Sequence, residues 1–465
     1  MNEFDVLIVG AGPAGMFAAL KIAELTDGKA RVGIIEKGYY AKQRICPLQE
    51  PRIGKCTYCR PCHILYGVGG AGTLSSGLIN LRPDIGGDLH ELVGSWERAW
   101  ELIEEVDKIF LRFGAPPDTL HEPDLDKVKE IEKRAVKVGA KFVPIRQRHI
   151  GTDNSIKVID NMTKYLESKG VKFIIGTEAL DVDMVDSKFR VKTTKGTFES
   201  KYLLLAPGRG GAEWFVKIAR KLGVTLESGP LDVGVRVEVP HAVMDDIISI
   251  EVDPKIIIYT KTFDDKVRTF CTNHRGFIVK EVYDDGTVGV NGHAYLNKKS
   301  DNTNFAFLVT IKLTDPMEDT IEYGKNLARL ATRLGGGNPL IQRLIDLESG
   351  RRSTWERIKR SVTRPTLKEV TPGDISMAYP YRIITDILEG LKSLDYIIPG
   401  VFGPHTLLYA PEIKYYSMKA RVDRTMETDV ANLYAAGDGA GLSRGINVAA
   451  ATGLVAGEAI ARKLS

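Results

Sequence analysis

Apolar residues run almost unbroken from Phe4 to Val9, the pattern of a strand buried on both faces. After Gly10-Ala11-Gly12-Pro13-Ala14-Gly15 the spacing lengthens to that of a helix over residues 16–25, and the following strand closes on Glu36. The same rhythm returns later, as an amphipathic helix over 155–166 and a strand over 171–176. Hairpin-like segments at 179–193 and 195–205 then lead into Ala206-Pro207-Gly208. Leu89, Leu92, Val93, Trp96, Trp100, Ile103, Val106, Ile109, Phe110 and Phe113 recur at helical steps and predict a helical insertion, with Trp96 and Trp100 as core anchors.

Beyond about Gly211 the βαβ rhythm stops. Short alternating runs at 233–239, 247–252, 267–271, 276–282 and 287–291 predict an antiparallel sheet. Helices are expected at 316–334, 339–347 and 381–391 before the chain returns, near 394–399, to the first type of pattern.

The turn at Gly10 carries chemistry because of where it stands. Glycines at 10, 12 and 15 between an apolar strand and a helix allow a tight turn, a close approach of backbone to pyrophosphate, and close helix–strand packing. The helix N-terminus, opened by Pro13 and Ala14, directs unpaired N–H groups at the phosphates. Glu36, followed by Lys37, is placed to accept hydrogen bonds from an adenosine ribose. Gly67-Val68-Gly69-Gly70-Ala71-Gly72 matches the same spacing without a proper strand before it or a helix after it. Its lean backbone at Gly70, Ala71 and Gly72 suits a loop over a flat ring. With no second true fingerprint there is no dedicated nicotinamide domain, so NAD(P)H would act only as a transient donor.

Composition sets bounds. The chain has 465 residues, 43% hydrophobic and 27% charged, which is ordinary globular usage with room for several domains. Its formal charge of +4, from 64 basic and 60 acidic groups, is too small to indicate nucleic acid, and Arg351-Arg352 and Lys359-Arg360 are short clusters. No apolar run approaches the ~20 residues of a membrane span. The Met1 start leads straight into a strand with no signal peptide, so a cytoplasmic location is expected. A small-molecule substrate is anticipated, with room for a redox partner protein and for a homo-oligomer.

Four of five cysteines lie in one window, Cys46, Cys56, Cys59 and Cys62. Two C-x-x-C steps can direct thiolates at one metal, and Cys46 completes a tetrahedral set. Lys42, Arg44, Arg52, Lys55 and Arg60 offset the thiolate charge. The readings, in order, are an iron–sulfur cluster such as [4Fe–4S], a structural zinc, and a thiol redox pair or plain loop cysteines. Cys271, alone on a strand, reads as a buried small hydrophobe.

Near the C-terminus a short strand ends in Gly437-Asp438 and is followed by Ser443-Arg444-Gly445-Ile446-Asn447 and a small-residue helix. This resembles the second flavin signature of the glutathione-reductase-type FAD proteins. The resemblance implies that Asp438 binds the ribitol or pyrophosphate side of FAD and that Gly445, Ile446 and Asn447 point a helix N-terminus at the flavin. Ala206 and Gly208 resemble the Ala-x-Gly turn by which such chains leave the FAD domain, and Ala179 is expected beside the cofactor. Further motifs extend the likeness over nearly the whole length: 69–72, 232–238, 269–271, 291–293, 302–306, 350–354 and 437–446. Together they resemble the uncharacterised FAD-dependent dehydrogenases, distant relatives of geranylgeranyl reductases, in a subgroup with a four-cysteine loop. Where relatives read Phe-Ser-Asp-Gly-Lys-Leu after the glycine loop, this chain reads Leu74-Ser75-Ser76-Gly77-Leu78-Ile79, without the acid and the base.

The fold implied is α/β: a Rossmann-like FAD-binding domain assembled from 1–88, 151–211 and 395–465, a helical insertion at 89–150, and a mixed α+β cap or substrate domain at 212–394. The function implied is an FAD-dependent oxidoreductase with a cysteine-ligated metal centre. The alternatives are an FAD-binding protein with a structural zinc loop in a modifying or scaffold role, and a flavin–dithiol reductase. Arg444, His293 and His405 are the catalytic candidates, with Arg236 a fourth that an acid such as Glu238 would otherwise pair.

Overall fold

The computed structural model describes residues 3–48, 53, 55–75, 77–227, 231–283, 285–295, 297–311, 320–414 and 418–464. Two compact units account for them. One comprises residues 1–118, 153–229 and 416–465, the other 119–152 and 230–415. The arginine expected at 52 and the first four residues of the helix expected at 316–334 lie outside the described residues.

The first unit is built on a seven-stranded sheet among the described residues. Lys172–Ile175, Val32–Glu36, Glu3–Val9, Gly196–Leu205 and Leu433–Ala435 lie side by side and parallel. The antiparallel hairpin Ala179–Val185 and Lys188–Thr193 extends one edge. Leu7, Ile8, Ile34 and Leu204 are fully buried, as the continuous apolar strands require. The helices Pro13–Leu25 and Ile446–Leu464 pack at very short range, because a Cβ on Gly453 would stand 2.1 Å from the Ala14 carbonyl oxygen and one on Gly457 2.6 Å from that of Ala18.

The helix Trp96–Arg112 also belongs to this unit and corrects one expectation. Its buried stripe runs through Ala99, Leu102, Ile103, Val106 and Phe110, with Phe110 against Phe17 at 5.2 Å between ring centres. Trp96 and Trp100 fall off that stripe and are 48% and 39% exposed, so they are surface residues. Trp96 covers itself by stacking on His90 at 3.9 Å.

The second unit carries an eight-stranded sheet among the described residues, with Leu231–Pro240 and Asn302–Ile311 paired antiparallel along their whole length at its centre. Alternation divides its faces. Val233, Val235, Val237, Val239, Phe305, Phe307 and Val309 enter one apolar core with the helix Tyr381–Asp395, while Asp232, Arg236, Glu238 and Asn304 stand on the other face. Leu407–Lys414 pairs with Leu231–Pro240, and Lys141–Val143 with Lys255–Tyr259. Those pairings put residues 395–415 and the end of the expected helical insertion in this unit.

Three local expectations change. Residues 340–343 form a strand against Leu407–Lys414 instead of a helix, because the cross-strand partner outweighs local spacing. The apolar residues near 247 belong to the helix His241–Ile248, where Met244, Ile247 and Ile248 share a buried face. Cys271 is only half-buried and adopts φ +50°, at a bulge where the register shifts between Phe270 and Asn273.

A carboxyl pair in this unit makes its stability depend on pH. Asp386 is fully buried and accepts from Thr260 Oγ1 at 2.7 Å, while neighbouring Asp265 is held by Arg382 Nη2 at 2.8 Å. Burial, with the Asp265 charge acting in the same direction, pushes the Asp386 carboxyl up to about 7. The folded chain therefore holds a proton that the unfolded chain releases near the ordinary carboxyl range. The resulting stability is present in full below that range and is lost as pH rises through about 7. The melting temperature should fall between pH 5 and pH 8, and Asp386→Asn should flatten that fall. An unchanged slope in the variant would refute the assignment.

Candidate functional site

Several glycine-bearing turns of the first unit converge. Gly10 has φ +104°, which favours glycine, and a Cβ there would meet the Ala206 carbonyl oxygen at 2.1 Å. Gly12 precedes the helix Pro13–Leu25, whose first N–H groups stay open, and Gly15 lies over the Gly10 carbonyl. Gly69 donates to the Ala11 carbonyl at 2.7 Å, which seats the glycine loop on the fingerprint turn. Gly70, at φ +66°, approaches Gly12, and Gly72 approaches the Ile446 side chain. Gly437 faces the Ala14 methyl, and Gly439 packs on the Gly208 carbonyl. The fold thus gathers residues 10–15, 70–72, 206–208, 437–439 and 446 from four stretches of chain.

Glu36 joins three of the local segments. It is 6% exposed, and its carboxylate accepts from Ala11 N at 2.9 Å, Gly38 N at 2.7 Å and Gly67 N at 3.0 Å. Lys37 turns the other way, pairing with Glu178 at 2.9 Å and lying over the Tyr66 ring. Asp438 accepts from Ser443 Oγ at 2.5 Å. Asn447 donates to the Arg82 and Ile85 carbonyls, and Arg444 N donates to the Gly86 carbonyl at 2.7 Å. Residues 82–88 are therefore part of this region although the sequence pattern passed over them. Their turn composition, Arg-Pro-Asp-Ile-Gly-Gly-Asp, was the available signal. Ala179 opens an edge strand paired with Thr193.

The cysteine window lies between two anchored ends. Arg44, 3% exposed, donates to the carbonyls of His63 and Ile64 on one side and of Val68 and Gly70 on the other, at 2.9–3.1 Å. His63 Nδ1 lies 2.8 Å from the Ile45 carbonyl oxygen. Burial pulls the Arg44 guanidinium down to about 10, opposed by the charges of Glu36 and Cys62. Cys46, Cys56, Cys59 and Cys62 are half-buried and form no disulfide, and Thr57 Oγ1 lies 3.2 Å from Cys59 Sγ. Among the described residues no three His, Cys, Asp or Glu side chains converge as a metal requires. The expected ligand set is thus not assembled. Convergence of several thiolates is normally driven by the metal they bind, so spacing in sequence does not by itself place them.

The catalytic candidates are distributed over the two units. Arg444, in the first, has Nη2 3.4 Å from Asp88. His293 and His405 are in the second. His293 is 1% exposed, with Nδ1 3.5 Å from the Tyr295 hydroxyl. His405 lies just before Leu407–Lys414, and its buried Nδ1 meets no hydrogen-bond partner among the described residues. Arg236 is fully buried and saturated, by Glu412 at 3.1 Å, Asn304 at 2.8 Å and the Cys271 carbonyl at 2.6 Å. Its partner is not Glu238, which accepts from Thr366 and Tyr409 and whose carboxyl burial pushes up. Arg236 is a structural clasp.

Comparison with known proteins agrees with this geometry. The family model described as an FAD binding domain matches residues 5–44, which contain the fingerprint turn and Glu36. The FAD-dependent protein C-terminal domain-like model matches 230–415, the bounds of the main segment of the second unit. The model for glucose inhibited division protein A matches 367–465. An uncharacterized protein of Clostridium beijerinckii is 23% identical over 98% of this chain and 80% of its own. Among solved structures, glycine oxidase from Bacillus cereus aligns at 12% identity over 99% of this chain and 95% of that one, with a TM-score of 0.44. L-proline dehydrogenase from P. horikoshii aligns at 14% over 100% and 94%, with a TM-score of 0.39. The matched segment at 5–44 and the turns gathered around it identify an FAD-binding segment in the first unit.

Proposed function

We propose that the protein oxidises or reduces a small molecule at an FAD held by the first unit and that the cysteine loop is its second redox element. The carrying observation is that Gly67, held by Glu36, leads into Val68 and Gly70, whose carbonyls accept from Arg44, and that Arg44 also holds the end of the loop at His63 and Ile64. Residues 10–15 and the N-terminus of Pro13–Leu25 would bind the pyrophosphate, Glu36 the ribose, Asp438 the ribitol side, and Gly445–Asn447 the flavin end. When bound, FAD supplies an acceptor for two electrons that also works in single steps. Arg444, in the same unit, would orient the substrate. An NAD(P)H donor would dock only transiently.

Cys59 and Cys62, one C-x-x-C step apart, are the pair we assign to the loop's chemistry. Joining them forms one S–S bond and releases two electrons and two protons, matching the two-electron capacity of FAD. The second reading, an iron–sulfur cluster or a zinc brace on all four cysteines, draws on their number and spacing.

Two measurements test these assignments. Purified protein should be yellow, carry only trace iron and zinc, and show a disulfide in the Cys56–Cys62 segment after aerobic turnover. Stoichiometric iron with absorbance bleached by dithionite would replace the dithiol with a cluster. Glu36→Ala removes the acceptor of three backbone N–H groups and should weaken FAD retention by about tenfold or more, since hydrogen bonds to a charged group contribute about 1.5–3 kcal/mol each. Asp438→Ala should also lower flavin content. Full occupancy of both variants after gel filtration would remove these residues from the site.

A further inference from the structure

Arg44 is a buried cation to which the function above gives no role beyond anchoring. Its guanidinium donates to four carbonyl oxygens, and no carboxylate among the described residues forms an ion pair with it. A buried charge ordinarily has a partner or a ligand that compensates it. The Glu36 carboxylate already accepts from three backbone N–H groups.

The chain is shaped around this side chain. Gly67 has φ +122°, and a Cβ there would stand 2.5 Å from Arg44 Cδ and 2.8 Å from Nε. The four carbonyls come in two pairs with different surroundings. His63 and Ile64 directly follow Cys62, whereas Val68 and Gly70 belong to the loop seated on the fingerprint turn. One planar fork thus fixes the base of the cysteine loop and the glycine loop together. An ammonium could not reproduce this, because it lacks the five fixed donor directions.

We propose that Arg44 is a positioning residue that couples the base of the cysteine loop to the flavin site. The inference rests on the reading that residues 67–72 face FAD. FAD contacts with residues 67–72 bear on the guanidinium through the Val68 and Gly70 carbonyls and, through those of His63 and Ile64, on the placement of the adjoining Cys62. Modification of Cys62 acts back on FAD by the same factor, since coupling between two binding equilibria is reciprocal.

The test uses the full chain with and without FAD, treated with iodoacetamide, with each cysteine followed by mass spectrometry. In the unaltered protein FAD should change the alkylation rate of Cys62 by about tenfold and those of Cys56 and Cys59 far less, because only Cys62 adjoins the carbonyls that Arg44 holds. Protein alkylated at Cys62 should bind FAD weaker or tighter by a matching factor. Arg44→Lys keeps the charge and should abolish the coupling while flavin still binds. Should Arg44→Lys fail to fold, the response of Cys62 to FAD in the unaltered protein, against those of Cys56 and Cys59, decides alone. Cys62 alkylation indifferent to FAD in the unaltered protein, or full coupling retained in the folded variant, overturns the proposal. Absence of FAD binding in the unaltered protein is a different result, which overturns the flavin reading on which the proposal stands.

Discussion

The first unit depends on one buried carboxylate. Glu36 ends its strand where three stretches of backbone present N–H groups with no secondary-structure partner: the fingerprint turn at Ala11, the strand exit at Gly38, and the glycine loop at Gly67. A carboxylate is acceptor-only and can take several donors, so one side chain satisfies all three. Gly10 complements it from the other side, since only its bare Cα lets the turn reach the Ala206 carbonyl. The dinucleotide turn, the exit at 206–208 and the glycine loop are thereby fixed as one surface before any ligand arrives, and such preorganisation lowers the cost of binding.

Arg44 extends that surface by one more link. It has the inverse chemistry of Glu36, donor-only and satisfied by carbonyls, and it stands on the far side of the same Gly67. The pair explains why a loop of unusual composition begins and ends next to the flavin motif: both of its ends are held by hydrogen bonds that also shape the glycine loop. The cysteines between those ends are left half-buried, within reach of solvent and reagents.

The second unit solves a different problem. Its central strands carry valine and phenylalanine on one face and Asp232, Arg236, Glu238 and Asn304 on the other. A buried ion pair such as Arg236–Glu412 adds little net stability, yet removing one partner is costly. Its geometry singles out one pairing of Leu231–Pro240, Asn302–Ile311 and Leu407–Lys414. Register shifts in the pairings of two of these strands, at Gly234/Arg236 and Phe270/Asn273, occur where that arginine and the Cys271 carbonyl it binds are accommodated. Arg236 is held as a structural residue of this sheet, and the buried His405 Nδ1 meets no hydrogen-bond partner among the described residues.

Much of this was legible along the chain because the chemistry is local. A glycine turn between an apolar strand and a helix, with an acid closing the next strand, involves contacts that short-range geometry nearly dictates, and the α/β class follows from continuous apolar strands alternating with helices. What sequence could not decide involves partners distant along the chain. Trp96 and Trp100 have helical spacing, but which stripe faces inward is chosen by Phe17 and its neighbours. Residues 340–343 are a strand because Leu407–Lys414 is there to pair with them. The partner of Arg236 is Glu412, remote in sequence, instead of Glu238, two residues away on the same strand. Four cysteines in one window announce redox or metal chemistry by composition alone. Whether they meet depends on the path of the loop between its anchored ends, which tertiary packing through Arg44 and His63 sets and which spacing does not encode.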